Sequence, residues 1–108
     1  MRKPEYQIVI MTASSRDEAE RIATVLVEEG LAACVNVVPQ CRSVYKWKDE
    51  IVKDDEAMML AKTRRDRFED VVRRVTALHS YEVPEIIAVS LESFAESYGR
   101  FLGDVLGG

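Results

Sequence analysis

The spacing of apolar residues changes several times along this chain, and each change marks an element. Tyr6-Gln7-Ile8-Val9-Ile10-Met11-Thr12 is apolar without alternation, which predicts a strand buried on both faces. A helical period follows: Ala19, Ile22, Ala23, Leu26 and Val27 form one side, Glu20, Arg21, Thr24 and Glu28 the other. Ser15-Arg16-Asp17-Glu18 has the form of a capping box at its start, and Gly30 stands where a left-handed residue ends a helix. Leu31 to Thr63 then reads as two long β arms around a charged turn at Lys48-Asp49-Glu50. The first arm carries Val35, Val37, Val44, Tyr45 and Trp47; the second ends in the apolar run Ala57-Met58-Met59-Leu60-Ala61. Pro39 cannot donate to a ladder, so it predicts a bulge and an edge position for Leu31–Trp47.

After Thr63 the helical period returns. Thr63-Arg64-Arg65-Asp66 reads as a cap for a helix whose stripe is Phe68, Val71, Val72, Val75 and Leu78. Arg67, Glu69, Asp70, Arg73 and Arg74 read as its solvated face. His79 to Glu85 is a loop, since Pro84 forces Val83 to be extended. Ile86-Ile87-Ala88-Val89 is a fourth strand, and a last helix is expected from Ser93, with Phe94, Tyr98, Phe101, Leu102 and Val105 inward. Gly99 and Gly103 each weaken that helix by about 1 kcal/mol relative to Ala, and Gly107-Gly108 reads as a frayed end. The order β-α-β-β-α-β plus a C-terminal helix predicts an α+β, ferredoxin-like fold: one antiparallel sheet, first and third strands central, both main helices on one face.

Two helices cover one face only, yet three strands are apolar on both, so the second face needs a partner. The long hairpin points the same way. Sixteen residues from Ala33 to Lys48 reach roughly 50 Å at about 3.3 Å per residue, beyond the roughly 35 Å diameter of a chain this size. Tyr45 and Trp47 stand two apart and share a side near its tip. They are expected to be interface residues, with Trp47 as the anchor; the rival reading makes Trp47 a stacking platform at a cleft mouth.

Composition narrows the classes. The 108 residues form a single domain, 1–108, with 47% hydrophobic and 31% charged content, both globular values. A net charge of −4 argues against nucleic acid as the default partner. No apolar run approaches the ~20 residues of a membrane span, and Ile8–Met11 after the basic Met1-Arg2-Lys3-Pro4 is too short for a signal peptide. The expected setting is the cytoplasm, which two cysteines without a CxxC motif also fit.

Two constellations carry candidate chemistry. Cys34, His79 and Met11 are soft and imidazole donors of the kind copper takes, although a buried free Cys and a strand Met are also ordinary core residues. Strand parity does not fix the face of Cys41 beyond the Pro39 bulge. The second set is polar: Asn36, Tyr45, Lys62, Thr63, Tyr81, Glu82 and Glu85 would line a cleft between subunits for a small anionic ligand, with Lys62-Thr63-Arg64 at a helix N-terminus. The alternative is an ion pair between Lys62 and Glu85, with Tyr81 packed. No Gly-rich cradle, Ser/His/Asp set or paired carboxylates appears, so the chain reads as a non-enzyme without an organic cofactor.

Leu31-Ala32-Ala33-Cys34-Val35-Asn36, Pro39, Ser43-Val44-Tyr45-Lys46-Trp47, Lys62-Thr63 and His79-Ser80-Tyr81-Glu82-Val83-Pro84-Glu85-Ile86 together closely resemble the CutA family of divalent-cation tolerance proteins. The resemblance spans roughly Ile8 to Val105. It departs at Ser80, where Pro is usual, at Asp49, where a turn Gly is common, and at Phe101-Leu102-Gly103. It implies a ferredoxin-like homotrimer with the architecture of PII signalling proteins, associated with tolerance to copper and other divalent metals and with copper binding. Three classes of function follow: a metal-responsive or ligand-binding trimer, which the resemblance favours; an enzyme or PII-like protein acting on a small anion at the intersubunit cleft; and an assembly scaffold.

Overall fold

Hydrogen bonding and burial in a computed structural model, which describes residues 5–107, set the elements as follows. They are β1 (Tyr6–Ala13), α1 (Arg16–Glu28), β2 (Cys34–Trp47), β3 (Glu50–Arg64), a short 3₁₀ turn (Arg65–Arg67), α2 (Phe68–Leu78), β4 (Ile86–Ser90) and α3 (Glu96–Leu106). The basic start at Met1 to Pro4 and the terminal Gly108 lie outside the described residues. The strands form one antiparallel sheet in the order β2-β3-β1-β4, so the first and third are central as the pattern predicts.

Alternation assigns the two faces. Val9, Met11 and Ala13 of β1 and Ala57, Met59 and Ala61 of β3 point to one side, where they meet Ile22 and Leu26 of α1 and Val71 and Val75 of α2, all fully buried. Each large side chain enclosed there contributes about 1.5–3 kcal/mol. Ile8, Ile10, Met58, Leu60, Ile87 and Val89 point to the other side. There α3 closes only one end, packing Leu102 and Leu106 on Tyr6 and Ala33. Ile87 and Val89 stay 51% and 53% exposed.

The hairpin overhangs. β1 pairs with β3 from Ala57 to Arg64 only, so Cys41–Trp47 and Glu50–Glu56 leave the sheet as a two-stranded ribbon; the longest dimension is 44 Å. The register breaks between Val38 and Cys41, around Pro39, as expected. Lys48 and Asp49 close the turn with φ of 49° and 67°, the two left-handed residues of a type I′ loop, whose twist matches the strands. Gly30 is left-handed after α1 as expected, with φ 70°.

Four local expectations are corrected. Thr63 does not cap α2. It is the fully buried penultimate residue of β3, and its hydroxyl donates to Leu31 O at 2.6 Å. Continued pairing through Tyr6↔Arg64 keeps the chain extended there. α3 starts at Glu96, after Ala95, because Phe94 turns back onto Tyr6 with ring centroids 5.7 Å apart. Gly99 makes room for that ring: a Cβ there would lie 2.3 Å from Phe94. Gly107 is not frayed but caps α3 in the left-handed region, its N–H on Gly103 O at 3.0 Å. Arg67 leaves the solvated face to donate to Gly30 O and Leu106 O at 2.6 and 3.0 Å, tying the ends of α1 and α3 together.

Candidate functional site

Past the bulge, Cys41 pairs with Glu56, Ser43 with Asp54 and Tyr45 with Val52. Alternation therefore puts Cys41, Tyr45 and Trp47 on the face of Glu56 and Thr12, the face that α1 and α2 leave uncovered. The loop between α2 and β4 folds over the same end of the sheet, and two residues hold it. His79 Nδ1 accepts from Tyr81 N–H at 3.0 Å, so the proton sits on Nε2, which lies 2.7 Å from Thr12 O and donates to it. Glu18, 4% exposed, accepts from Ser14 N and Oγ and from Ser80 N and Oγ at 2.8–3.1 Å. Burial pushes the Glu18 carboxyl up, but the Ser14 and Ser80 hydrogen bonds outweigh it and hold its pKa at about 2. Half of the expected capping box is present, Ser15 Oγ accepting from Glu18 N at 3.1 Å. The Glu18 carboxylate reaches Ser14 and the distant loop instead.

A cavity of about 420 Å³ lies between the root of the hairpin and this loop. Tyr45 and Trp47 form one wall, and Glu56 and Thr12 the floor. Tyr81, Glu82, Val83 and Glu85 form the other wall. Tyr81 Oη donates to Glu56 Oε2 at 2.6 Å, and Tyr45 Oη to Asp54 Oδ2 at 2.5 Å. Burial, then the Glu56 hydrogen bond, pushes the Tyr81 hydroxyl well above its usual pKa, and the Asp54 hydrogen bond raises Tyr45. Both phenols stay neutral donors.

Of the expected cleft residues, Tyr45, Tyr81, Glu82 and Glu85 come together in this cavity. Asn36, Lys62 and Thr63 do not. Lys62 bonds Asn36 Oδ1 on the uncovered face and pairs across the ladder with Ile8, whereas Glu85 adjoins Ile86, which pairs with Met11. Three rungs, about 10 Å, separate those levels, so the two do not meet within one chain. Thr63 faces the helices, and Lys62-Thr63-Arg64 lies within β3, not at a helix N-terminus. Glu56, Thr12 and Ser80 join the cavity without having been singled out. An acid at the edge of an apolar run was the one sequence signal for Glu56.

The metal set is likewise dispersed. Met11 is 0% exposed among the helices' contacts, while Cys34 is half-buried on the opposite face, three rungs away. Both His79 nitrogens are engaged. Tyr98 lies against Cys34; burial, then the thiol, raises the Tyr98 pKa. Among the described residues no group of three or more His, Cys, Asp or Glu side chains converges to hold a metal ion.

Comparison with known proteins places residues 7–105 in a match to the family model "CutA1 divalent ion tolerance protein". The Divalent-cation tolerance protein CutA of Thermus thermophilus is 43% identical over 101 residues, covering 94% of this chain and 98% of that protein. The chloroplastic CutA of Arabidopsis thaliana is 37% identical over 88% of this chain, which spans 52% of that longer protein. The crystal structure of CutA1 from Shewanella sp. SIB1 superposes with a TM-score of 0.93 at 34% identity, covering 99% of this chain and all of that one.

Proposed function

Since the chain belongs to the CutA1 divalent ion tolerance family, we propose that it is a cytoplasmic homotrimer that contributes to divalent-cation tolerance by binding copper or another divalent metal ion. The uncovered sheet face carries the association. Ile87 and Val89 are half exposed beside Ile8, Ile10, Met58 and Leu60, and Tyr45 and Trp47, 40% and 42% exposed, continue the patch along the hairpin. An apolar patch of that continuity is what a subunit interface covers; the number three comes from the resemblance to a trimeric family. Tyr45 and Trp47 are the interface side chains in this reading.

For the metal, Cys34 is the member of the expected set that keeps a donor to offer. Its thiol is in no disulfide, lies half-buried beside Tyr98 and is on the associating face, and thiolate favours Cu(I). Met11 is enclosed, and His79 would have to give up a hydrogen bond before it could join. Two free cysteines also suit a reducing compartment. An enzymatic or PII-like role with a small anion would use a cleft between subunits; the cavity within one chain does not include Lys62.

The test is Cu(I) titration of the reduced protein alongside sedimentation. Stoichiometric uptake that releases a proton, weakens as pH falls and disappears in Cys34→Ser supports the reading. Equal uptake by Cys34→Ser overturns the metal assignment, and a stable folded monomer at low concentration overturns the assembly.

A further inference from the structure

We propose that the cavity at the root of the hairpin binds a small organic cation, a quaternary or protonated amine or a guanidinium, rather than an anion. The site is separate from Cys34, so it does not depend on the metal reading; it does rest on the assembly leaving the cavity-facing sides of Tyr45 and Trp47 uncovered.

The lining carries Glu56, Glu82 and Glu85 and contains no Lys or Arg side chain. Glu56 is 7% exposed, and Tyr81 takes one of its oxygens. Among the described residues its other oxygen has no hydrogen-bond donor. A mostly buried carboxylate with one oxygen taken by Tyr81 and the other open to the cavity favours a cationic occupant. The walls add Tyr45, Trp47 and Tyr81, whose ring faces are negative and attract ammonium or guanidinium groups. The Trp47 ring already takes an ammonium within this chain: Lys48 Nζ lies 5.8 Å from its centroid.

Size and spacing separate an organic cation from a metal. A bare divalent ion needs several oxygens at once within about 2.0–2.6 Å, and the three glutamates do not converge in that way. Their spread around aromatic walls in about 420 Å³ suits a cation whose charge is distributed over several carbons.

Trp47 is the sole tryptophan, so its emission reports occupancy. The intact assembly is titrated with choline, with agmatine, with dimethylbutanol as the neutral carbon isostere of choline, with inorganic phosphate and with Mg²⁺. The expected result is a saturable change with choline or agmatine at millimolar concentration or below. The neutral isostere should bind about tenfold more weakly, the size of a desolvated cation–π and carboxylate contribution. Glu82→Gln and Glu85→Gln, both at exposed positions, should each weaken the cation several-fold while leaving the sedimentation coefficient unchanged. Phosphate binding as tight as choline, equal binding of choline and its isostere, preference for Mg²⁺ over both organic cations, or no response to either of them would overturn the proposal.

Discussion

The two faces of the sheet are built from similar residues and end in opposite conditions. On one, Val9, Met11, Met59 and Ala61 are wholly enclosed by α1 and α2. On the other, Ile87 and Val89 alternate with them along the same ladder and remain half exposed. Composition does not distinguish these faces; connectivity does. Each β-α-β crossover lays its helix on the same side, and the one remaining helix, α3, reaches only the Tyr6 end of the second side. The enclosed face determines whether the chain folds, and the open face is the one proposed to meet a partner. At the end away from α3, the open face changes character, from aliphatic to the carboxylates and rings of the cavity.

Truncation on each face should sharpen that contrast most. Leu26→Ala leaves a void among fully buried neighbours and is expected to cost about 2–5 kcal/mol, read as a lower urea midpoint at any protein concentration. Ile87→Ser removes a half-exposed side chain and should change the stability of the isolated fold by under about 0.5 kcal/mol. Its effect should appear in association, as a sedimentation profile shifted toward smaller species and a midpoint that depends more steeply on protomer concentration. Similar concentration-independent losses in both variants would mean that the faces do not divide folding from assembly.

Glu18 links the enclosed side to the cavity, because it holds Ser80 and so the loop that carries Tyr81, Glu82 and Glu85. Its pKa falls from an ordinary 4.5 to about 2 in the folded chain. A carboxyl with a depressed folded-state pKa stabilises the fold above its unfolded value, so this contribution is complete above about pH 4.5 and is lost as pH falls toward 2. The shift corresponds to on the order of 3 kcal/mol. Glu18→Gln should therefore be less stable at neutral pH and should lose much of the decline between those limits, measured by urea midpoints across the acid range. A parallel acid decline in parent and variant would assign the loss to other carboxylates.

Trp47→Ala tests the open face at its far end. Enclosing a ring of that size contributes about 2–3 kcal/mol, and Trp47 is 42% exposed in the single chain. If the ring is an interface residue, the parent emits blue-shifted and resists acrylamide, and the alanine variant associates more weakly. If the ring serves the cavity alone, the assembly survives the substitution and emission in the unliganded parent is red-shifted and easily quenched.

How much of this was legible beforehand follows from how local each signal is. The bulge at Pro39, the end of α1 at Gly30 and the strand order depend on single residues or short periods, and they are present. The start of α2 is not legible because Thr63-Arg64-Arg65-Asp66 has a cap's composition, and pairing with Tyr6 and Gln7 overrides it. Tyr81 and Glu85 are legible as neighbours because one short loop carries both. The pairing of Tyr81 with Glu56, twenty-five positions apart, and of Ser80 with Glu18, sixty-two apart, leaves no periodic trace in either segment.

The smallest expected effect concerns the turn that keeps Tyr45 and Trp47 on the open face. Lys48 and Asp49 both lie in the left-handed region, where a β-carbon is penalised and Gly is not. Asp tolerates the conformation better than most residues, so Asp49→Gly should stabilise the hairpin only slightly, by about 0.5 kcal/mol. The pairing Trp47↔Glu50 and Tyr45↔Val52 is set by the two-residue loop, and a slip of one residue would carry both rings to the other side. A type I′ turn accepts glycine at this position without changing length. The variant should thus gain a little in urea midpoint while Trp47 emission and the sedimentation profile stay those of the parent. A shifted emission with unchanged stability would mean that the side chain of Asp49, and not the backbone of the turn, sets the register and so the face that the aromatic pair takes.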